Sequence, residues 1–143
     1  MGRYLPEAWP LPSPDGLNRD YFSAGRLLVQ QCTACGAVQH PPEEVCFRCQ
    51  SFRFHNVESA GLGHVYSYIV AHYAVSPLLK ESVPYGIALV QLDDYPEVRI
   101  VGNVLNLAPE ALRIGLPVRV TFEAVADEET GAPLLVPQWE AFQ

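Results

Sequence analysis

The chain has 143 residues, 49% hydrophobic and 17% charged, which suits one globular domain or two small ones and excludes a disordered tail. Nine Lys plus Arg against sixteen Asp plus Glu leave a net charge of −7, which repels nucleic-acid phosphate and anionic lipid. No stretch approaches the ~18 to 20 uninterrupted apolar residues of a membrane span, and residues 1–14 lack the charged-then-apolar pattern of a signal peptide, so the expectation is a soluble cytoplasmic protein.

Pro6, Pro10, Pro12 and Pro14 precede Gly16, a density that prevents helix and predicts an extended arm. Its Tyr4, Leu5, Trp9 and Leu11 have no local core to enter. Leu17, Tyr21 and Ala24 then recur at i, i+4 and i+7, so a short helix is expected over Leu17–Ala24, with Asn18 capping its first turn and Gly25 ending it. Leu27–Gln31 reads as a strand.

That strand runs into Cys32, Cys35, Cys46 and Cys49, all the cysteines in the chain: C-x2-C, ten residues, C-x2-C. Each C-x2-C loop turns two sulfurs toward one point, so the pair of loops offers four soft thiolates to a tetrahedral ion. Gly36, directly after the second cysteine, suits the left-handed residue that such a loop needs. Two disulfides would require an oxidising compartment, and a thioredoxin-type pair would require a βαβ context that is missing around Cys32. The expectation is one zinc per chain, with iron able to use the same sulfurs. Protein fills all four positions, leaving none for water or substrate, so the role is structural. His40 and His55 lie nearby but are surplus to a complete shell. Val38–Pro42 reads as a strand and turn, the layout of a zinc ribbon.

After Gly61 the texture becomes strands punctuated by turns. Gly63–Tyr73 alternates, placing Val65, Ser67, Ile69 and Ala71 on one face and His64, Tyr66, Tyr68, Val70 and His72 on the other. Further strands are expected over Pro84–Leu92, Val98–Leu105, Val118–Ala126 and Leu134–Phe142, with a helical turn at Ala108–Arg113. Five strands with a short helix between the third and fourth is the order of an OB-fold barrel. The expected fold is therefore mostly β: an N-terminal arm and helix over 1–24, a zinc ribbon over 25–56, and a five-stranded OB-fold barrel over 57–143.

The ordered set Gly25–Gly36, Pro41-Pro42 before Cys46, Gly61–Tyr68, Pro84–Leu92 and Ile114–Val118 resembles the acyl-CoA-associated family that joins a rubredoxin-like zinc ribbon to an OB-fold. The similarity covers roughly residues 17–142. Glu43 departs from it, since the family more often has a basic residue there, which weakens any contact with an anionic cofactor. The resemblance implies a non-catalytic accessory subunit of thiolase-like or lipid-transfer-protein-like enzymes, which make or break C–C bonds of acyl-CoA thioesters by thiolysis, aldol cleavage or C-acyl transfer. It also implies a hetero-oligomer in which a CoA thioester is contacted in the complex.

The residues agree with a lack of intrinsic activity. Every cysteine is committed to metal, there is no Gly-x-Ser-x-Gly motif or glycine-rich phosphate loop, and Ser67 and His72 fall on opposite strand faces. The alternative reading is a single-stranded nucleic-acid binder, with Tyr66, Tyr68 and Tyr73 as a stacking platform. Within Gly63–Val83, Lys80 is the one fixed cation and Glu81 cancels it, so the electrostatic funnel such binders need is missing. Trp9, Tyr21 and Phe22, with Trp139 and Phe142, are large groups near the ends that a monomer covers poorly, and aromatics are typical interface anchors. The expected partner surface is Trp9, Leu17, Tyr21 and Phe22, with the exposed side of the ribbon second.

Overall fold

The computed structural model describes residues 3–142. Among the described residues eight strands form two antiparallel sheets. The first contains β1 (Leu28–Cys32), flanked by β2 (Val38–Gln39) and β3 (Phe54–Glu58). β3 pairs with β1 along its whole length, from Leu28↔Glu58 to Cys32↔Phe54, and so runs across the expected boundary at 56/57. The second sheet comprises β4 (Leu62–Ala71), β5 (Tyr85–Leu92), β6 (Arg99–Gly102), β7 (Pro117–Ala126) and β8 (Pro133–Ala141), in the order β6-β5-β4-β7-β8. A parallel bridge between Val104 and Trp139 links its two ends into a nearly closed five-stranded barrel.

The expected N-terminal helix is not formed: no α-helix occurs among the described residues. Residues 15–24 instead make successive single turns, with bonds from Arg19 N–H to Asp15 C=O and from Ala24 N–H to Asp20 C=O. The first turn is capped by Asp15 rather than Asn18, since Asp15 Oδ1 accepts from the N–H groups of Leu17 and Asn18 at 2.8 and 2.9 Å. Eight residues are too few to repay helix nucleation, and Asp, Asn and Ser side chains here bond the backbone in competition with it. Gly25 does adopt φ +70° and ends the segment. Past β6, the expected helical turn is a 3₁₀ turn over Pro109–Ala111.

The alternation expected for β4 fails midway. The register steps from Val65↔Val90 to Ser67↔Leu89, so Tyr66 is the extra residue of a bulge. A one-residue slip exchanges the faces of everything beyond it. Val65 points into the core, whereas Ser67 and Ile69 lie outside with Leu89 and Ile87, and Ile69 is 60% exposed. Tyr66 packs under the Arg99 guanidinium, 3.8 Å from the ring centroid.

One apolar core serves both sheets. Tyr21, Leu27, Val29 and Val38 from the ribbon side join Val65, Val90, Leu92, Ile100 and Val118 of the barrel in a single cluster. Trp139 is its largest fully buried member, contrary to the expectation that a monomer would leave it poorly covered. Gly102 makes room for it: a Cβ there would lie 2.8 Å from the indole Cδ1. A smaller cluster of Cys32, Ala37 and Cys46, backed by Phe54, fills the ribbon.

Candidate metal centre

β1 delivers Cys32 to the tip of the first sheet, and the two C-x2-C loops fold there in the same way. In the first, Cys32 N–H donates to Ala37 C=O and Gly36 N–H returns a bond to Cys32 C=O. In the second, Cys46 N–H donates to Ser51 C=O and Gln50 N–H returns one to Cys46 C=O. The fifth residue of each loop is left-handed, at φ +79° for Gly36 and +63° for Gln50. A glycine takes this conformation freely, but Gln50 bears the Cβ strain.

The four Sγ atoms lie within 4.8 Å of one another, with Cys32–Cys49 at 3.6 Å and Cys35–Cys46 at 3.7 Å. These are free thiols, far beyond the ~2.05 Å of a disulfide. A tetrahedron with metal–sulfur bonds of ~2.3 Å has sulfurs about 3.8 Å apart, so the spacing fits a thiolate-bound divalent ion. The Cys35 backbone N–H, with that of Ala34, pulls the Cys32 thiol down to about 6, and the Cys49 N–H likewise lowers Cys46. At Cys49 the Ser51 N–H favours the thiolate, but desolvation and the other three sulfurs outweigh it, and the thiol is pushed up to about 12. Sulfurs this close share protons, and a divalent cation would take the protons' place.

Neither nearby histidine joins the cluster. His40 packs its ring against Tyr21 at 5.1 Å, and His55 Nε2 pairs with Gln31 Oε1 at 2.7 Å. Two glutamines that the sequence reading passed over position the second loop. Gln30, 6% exposed, accepts from Glu43 N–H and donates back to Glu43 C=O, and its Oε1 also accepts from Gln39 Nε2 at 2.7 Å. Gln39 in turn donates to Val45 C=O and accepts from Phe47 N–H. Residues 43–45 are thereby fixed before the chain enters the loop, and Phe47 is held inside it. The available signal was two glutamines on adjacent strands, which pair directly as Gln30↔Gln39.

The expected partner residues are scattered. Tyr21 is in the core at 9% exposure, where burial pushes its phenol far up, and Phe22 packs edge-on against it at 5.0 Å. Leu17 remains 39% exposed. Trp9 turns back on the barrel with Tyr4, Leu5 and Pro6, and they roof a cavity of about 410 Å³ whose floor includes Tyr85, Ile87 and Val101. The arm is anchored through the buried carboxylate of Glu123, whose Oε2 accepts from Tyr4 N–H at 2.6 Å and Leu5 N–H at 2.8 Å. Glu123 Oε1 accepts from Gln138 Nε2 at 3.2 Å, and Gln138 Oε1 accepts from Asn103 N–H at 2.8 Å.

Residues 19–55 match the family described as "ChsH2, rubredoxin-like zinc ribbon domain", and residues 56–123 match "ChsH2, C-terminal OB-fold domain". The chain is 40% identical over 138 residues to a protein of Thermomonospora curvata named "Probable enoyl-CoA hydratase alpha subunit", and spans 42% of its length. It is 35% identical over 103 residues to the 3-oxo-4,17-pregnadiene-20-carboxyl-CoA hydratase alpha subunit of Mycobacterium tuberculosis, spanning 32% of that protein. It is 32% identical over 103 residues to a DUF35 domain-containing scaffold protein of Methanocaldococcus jannaschii, 71% of each chain. The chain thus spans less than half the length of either hydratase subunit. Among solved structures, a chain of "Ltp2-ChsH2(DUF35) aldolase" superposes with a TM-score of 0.74 at 38% identity, covering 92% of this chain and 98% of that one. The chain belongs to the ChsH2 family, in which a rubredoxin-like zinc ribbon is followed by an OB-fold domain.

Proposed function

We propose that this chain is a non-catalytic accessory subunit that binds and supports an enzyme acting on acyl-CoA thioesters, with a thiolase-like or lipid-transfer-protein-like partner that makes or breaks C–C bonds. The observation that carries this reading is the 38% identity to a chain of the Ltp2-ChsH2(DUF35) aldolase over nearly the full length of both. The two relatives named as hydratase alpha subunits lend support to a subunit role in acyl-CoA chemistry. The chain's own chemistry is consistent with it: all four thiols face one another, so none is free to act as a nucleophile.

In this reading Cys32, Cys35, Cys46 and Cys49 hold one structural zinc, which supplies folding energy to a ribbon whose own buried cluster is three residues. Trp9 and Leu17, which keep exposed or half-exposed surface, remain the partner contacts proposed near the N-terminus, with Phe22 beside them. Tyr21 acts behind them as packing. A CoA thioester is contacted across the assembled interface.

The test is purification of the tagged chain from its native host, with identification of what accompanies it and a zinc assay on the same sample. The expected result is a thiolase-like or related acyl-CoA enzyme at near-equal amounts with one zinc per copy, and loss of both metal and partner for Cys46→Ser. Recovery of nucleic acid, or of a lone chain with its own thioesterase activity, would overturn the reading.

A further inference from the structure

The outer face of β4, β5 and β6 breaks the rule that a solvated sheet face is polar. Its outward positions include Ile69, Ile87, Leu89 and Val101, and Ile69 and Val101 are 60% and 64% exposed. Ile87 and Val101 line both the cavity beneath the arm and the open groove that Ile69 and Leu89 flank, so the apolar surface continues from one to the other. Neither set of lining residues contains an Asp or Glu, in a chain with sixteen of them. Depletion of charge at the centre is the compositional signal of an interface.

Extent supports the same conclusion. On this face Tyr66, Ile69 and Val101 are 43%, 60% and 64% exposed, and Tyr4 of the arm, beside the cavity that Ile87 and Val101 line, is 41% exposed. Side chains exposed to that degree present on the order of 450 Å² together, within the ~300–600 Å² of the largest patch on a monomer, a patch that is often functional. A second copy of this chain is a poor occupant, because each carries −7, and a further −2 when four thiolates bind a divalent ion.

We propose that the acyl-CoA enzyme docks on this outer face of β4, β5 and β6, with Trp9 of the arm at its edge. The assignment rests on the accessory-subunit reading. The arm already seats Leu5, Pro6 and Trp9 over Ile87 and Val101, and the partner's apolar surface continues that cover across Ile69 and Leu89.

The test begins with the enzyme that the tagged wild-type chain brings down from its host, identified by mass spectrometry and then expressed for titration. The double variant Ile69→Glu with Val101→Glu changes two exposed positions and should leave zinc content and the melting transition close to wild type. It is expected to weaken the enzyme's Kd by roughly 30-fold or more, as loss of a central apolar anchor does. Phe52→Glu, at a 76% exposed ribbon position, should bind as wild type. Wild-type affinity for the double variant overturns the assignment, as does equal loss on Phe52→Glu, or a wild-type homodimer that the double variant dissolves. If the wild-type chain recovers no acyl-CoA enzyme at all, the accessory-subunit reading fails instead.

Discussion

Replacing Glu123 by alanine should release the N-terminal arm while leaving the barrel folded. The carboxylate is 4% exposed, and its Oε2 is the acceptor for the amides of Tyr4 and Leu5. A hydrogen bond to a charged group contributes ~1.5–3 kcal/mol net, so losing two weakens arm docking by about 3 kcal/mol or more, a factor of ~100 in the local opening equilibrium. Gln138 Nε2 keeps an acceptor in Asn103 Oδ1 at 3.3 Å, which limits the cost to the barrel. Glutamine at 123 should act differently. One carbonyl oxygen still serves the arm, but the new NH2 then faces Gln138 Nε2, donor against donor. Gln138 cannot turn over, because its Oε1 is held by Asn103 N–H. Amide hydrogen exchange read residue by residue separates the two: Glu123→Ala should lose protection at Tyr4 and Leu5 with little change in β7 and β8, and Glu123→Gln should lower the global stability by ~1–3 kcal/mol with the arm still protected. Unchanged protection of Tyr4 and Leu5 in Glu123→Ala would refute the anchoring role.

Two further outcomes follow from the ribbon and its contacts. Burial lowers the His40 imidazole from 6.5 to about 4, so the folded state takes up its proton later than the unfolded chain. Stability from this group is complete above the unfolded value and declines as pH falls from 6.5 toward 4, with about 1.4 kcal/mol lost between pH 7.5 and 5.5. Urea melts with zinc present should show that loss for wild type and a smaller one for His40→Gln, and equal slopes in the two proteins would remove His40 from the account. Gln50→Gly relieves the left-handed strain in the second C-x2-C loop, with an expected gain of about 0.5–1 kcal/mol in the same melts at an unchanged zinc content. A loss of stability would mean that the Gln50 side chain contributes more than its backbone costs.

The parts of this molecule legible in the sequence are those governed by near neighbours. The C-x2-C spacing placed four thiols together because each loop is a local turn, and the two loops lie within eighteen residues. The strand order was readable because most strands alternate and most connections carry turn residues. Tyr66 defeats the same logic, since a bulge inserts one residue into a period of two and nothing in the residues themselves announces it. The apolar outer face was therefore hidden: Ile69 was read on the face of Val65 and lies on the other. The helix over 17–24 failed for a different reason, because periodicity reports which residues face the core but not whether the chain between them can be helical. Tyr21 faces the core, although it was expected on the partner surface. Glu123 was invisible because its partners Tyr4 and Leu5 lie 119 and 118 residues away.

The same contacts link the four-cysteine cluster to the proposed docking surface. Cys32 ends β1, and β1 with its preceding residue sends Leu27 and Val29 into the core that also holds Val65, Val90 and Ile100. β3 is held to β1 over five residue pairs, and Ser59, just beyond it, accepts Gly61 N–H and donates to Asp94 in the β5–β6 connection. Loss of the metal would free the two loops first, then β1, and with β1 the apolar groups that back β4 and β5 from inside. The outward residues Ile69 and Ile87 sit on those same two strands. A zinc ion held by the four cysteines would then be required for partner binding through packing alone, and a chelator should abolish the complex without touching Ile69 or Ile87.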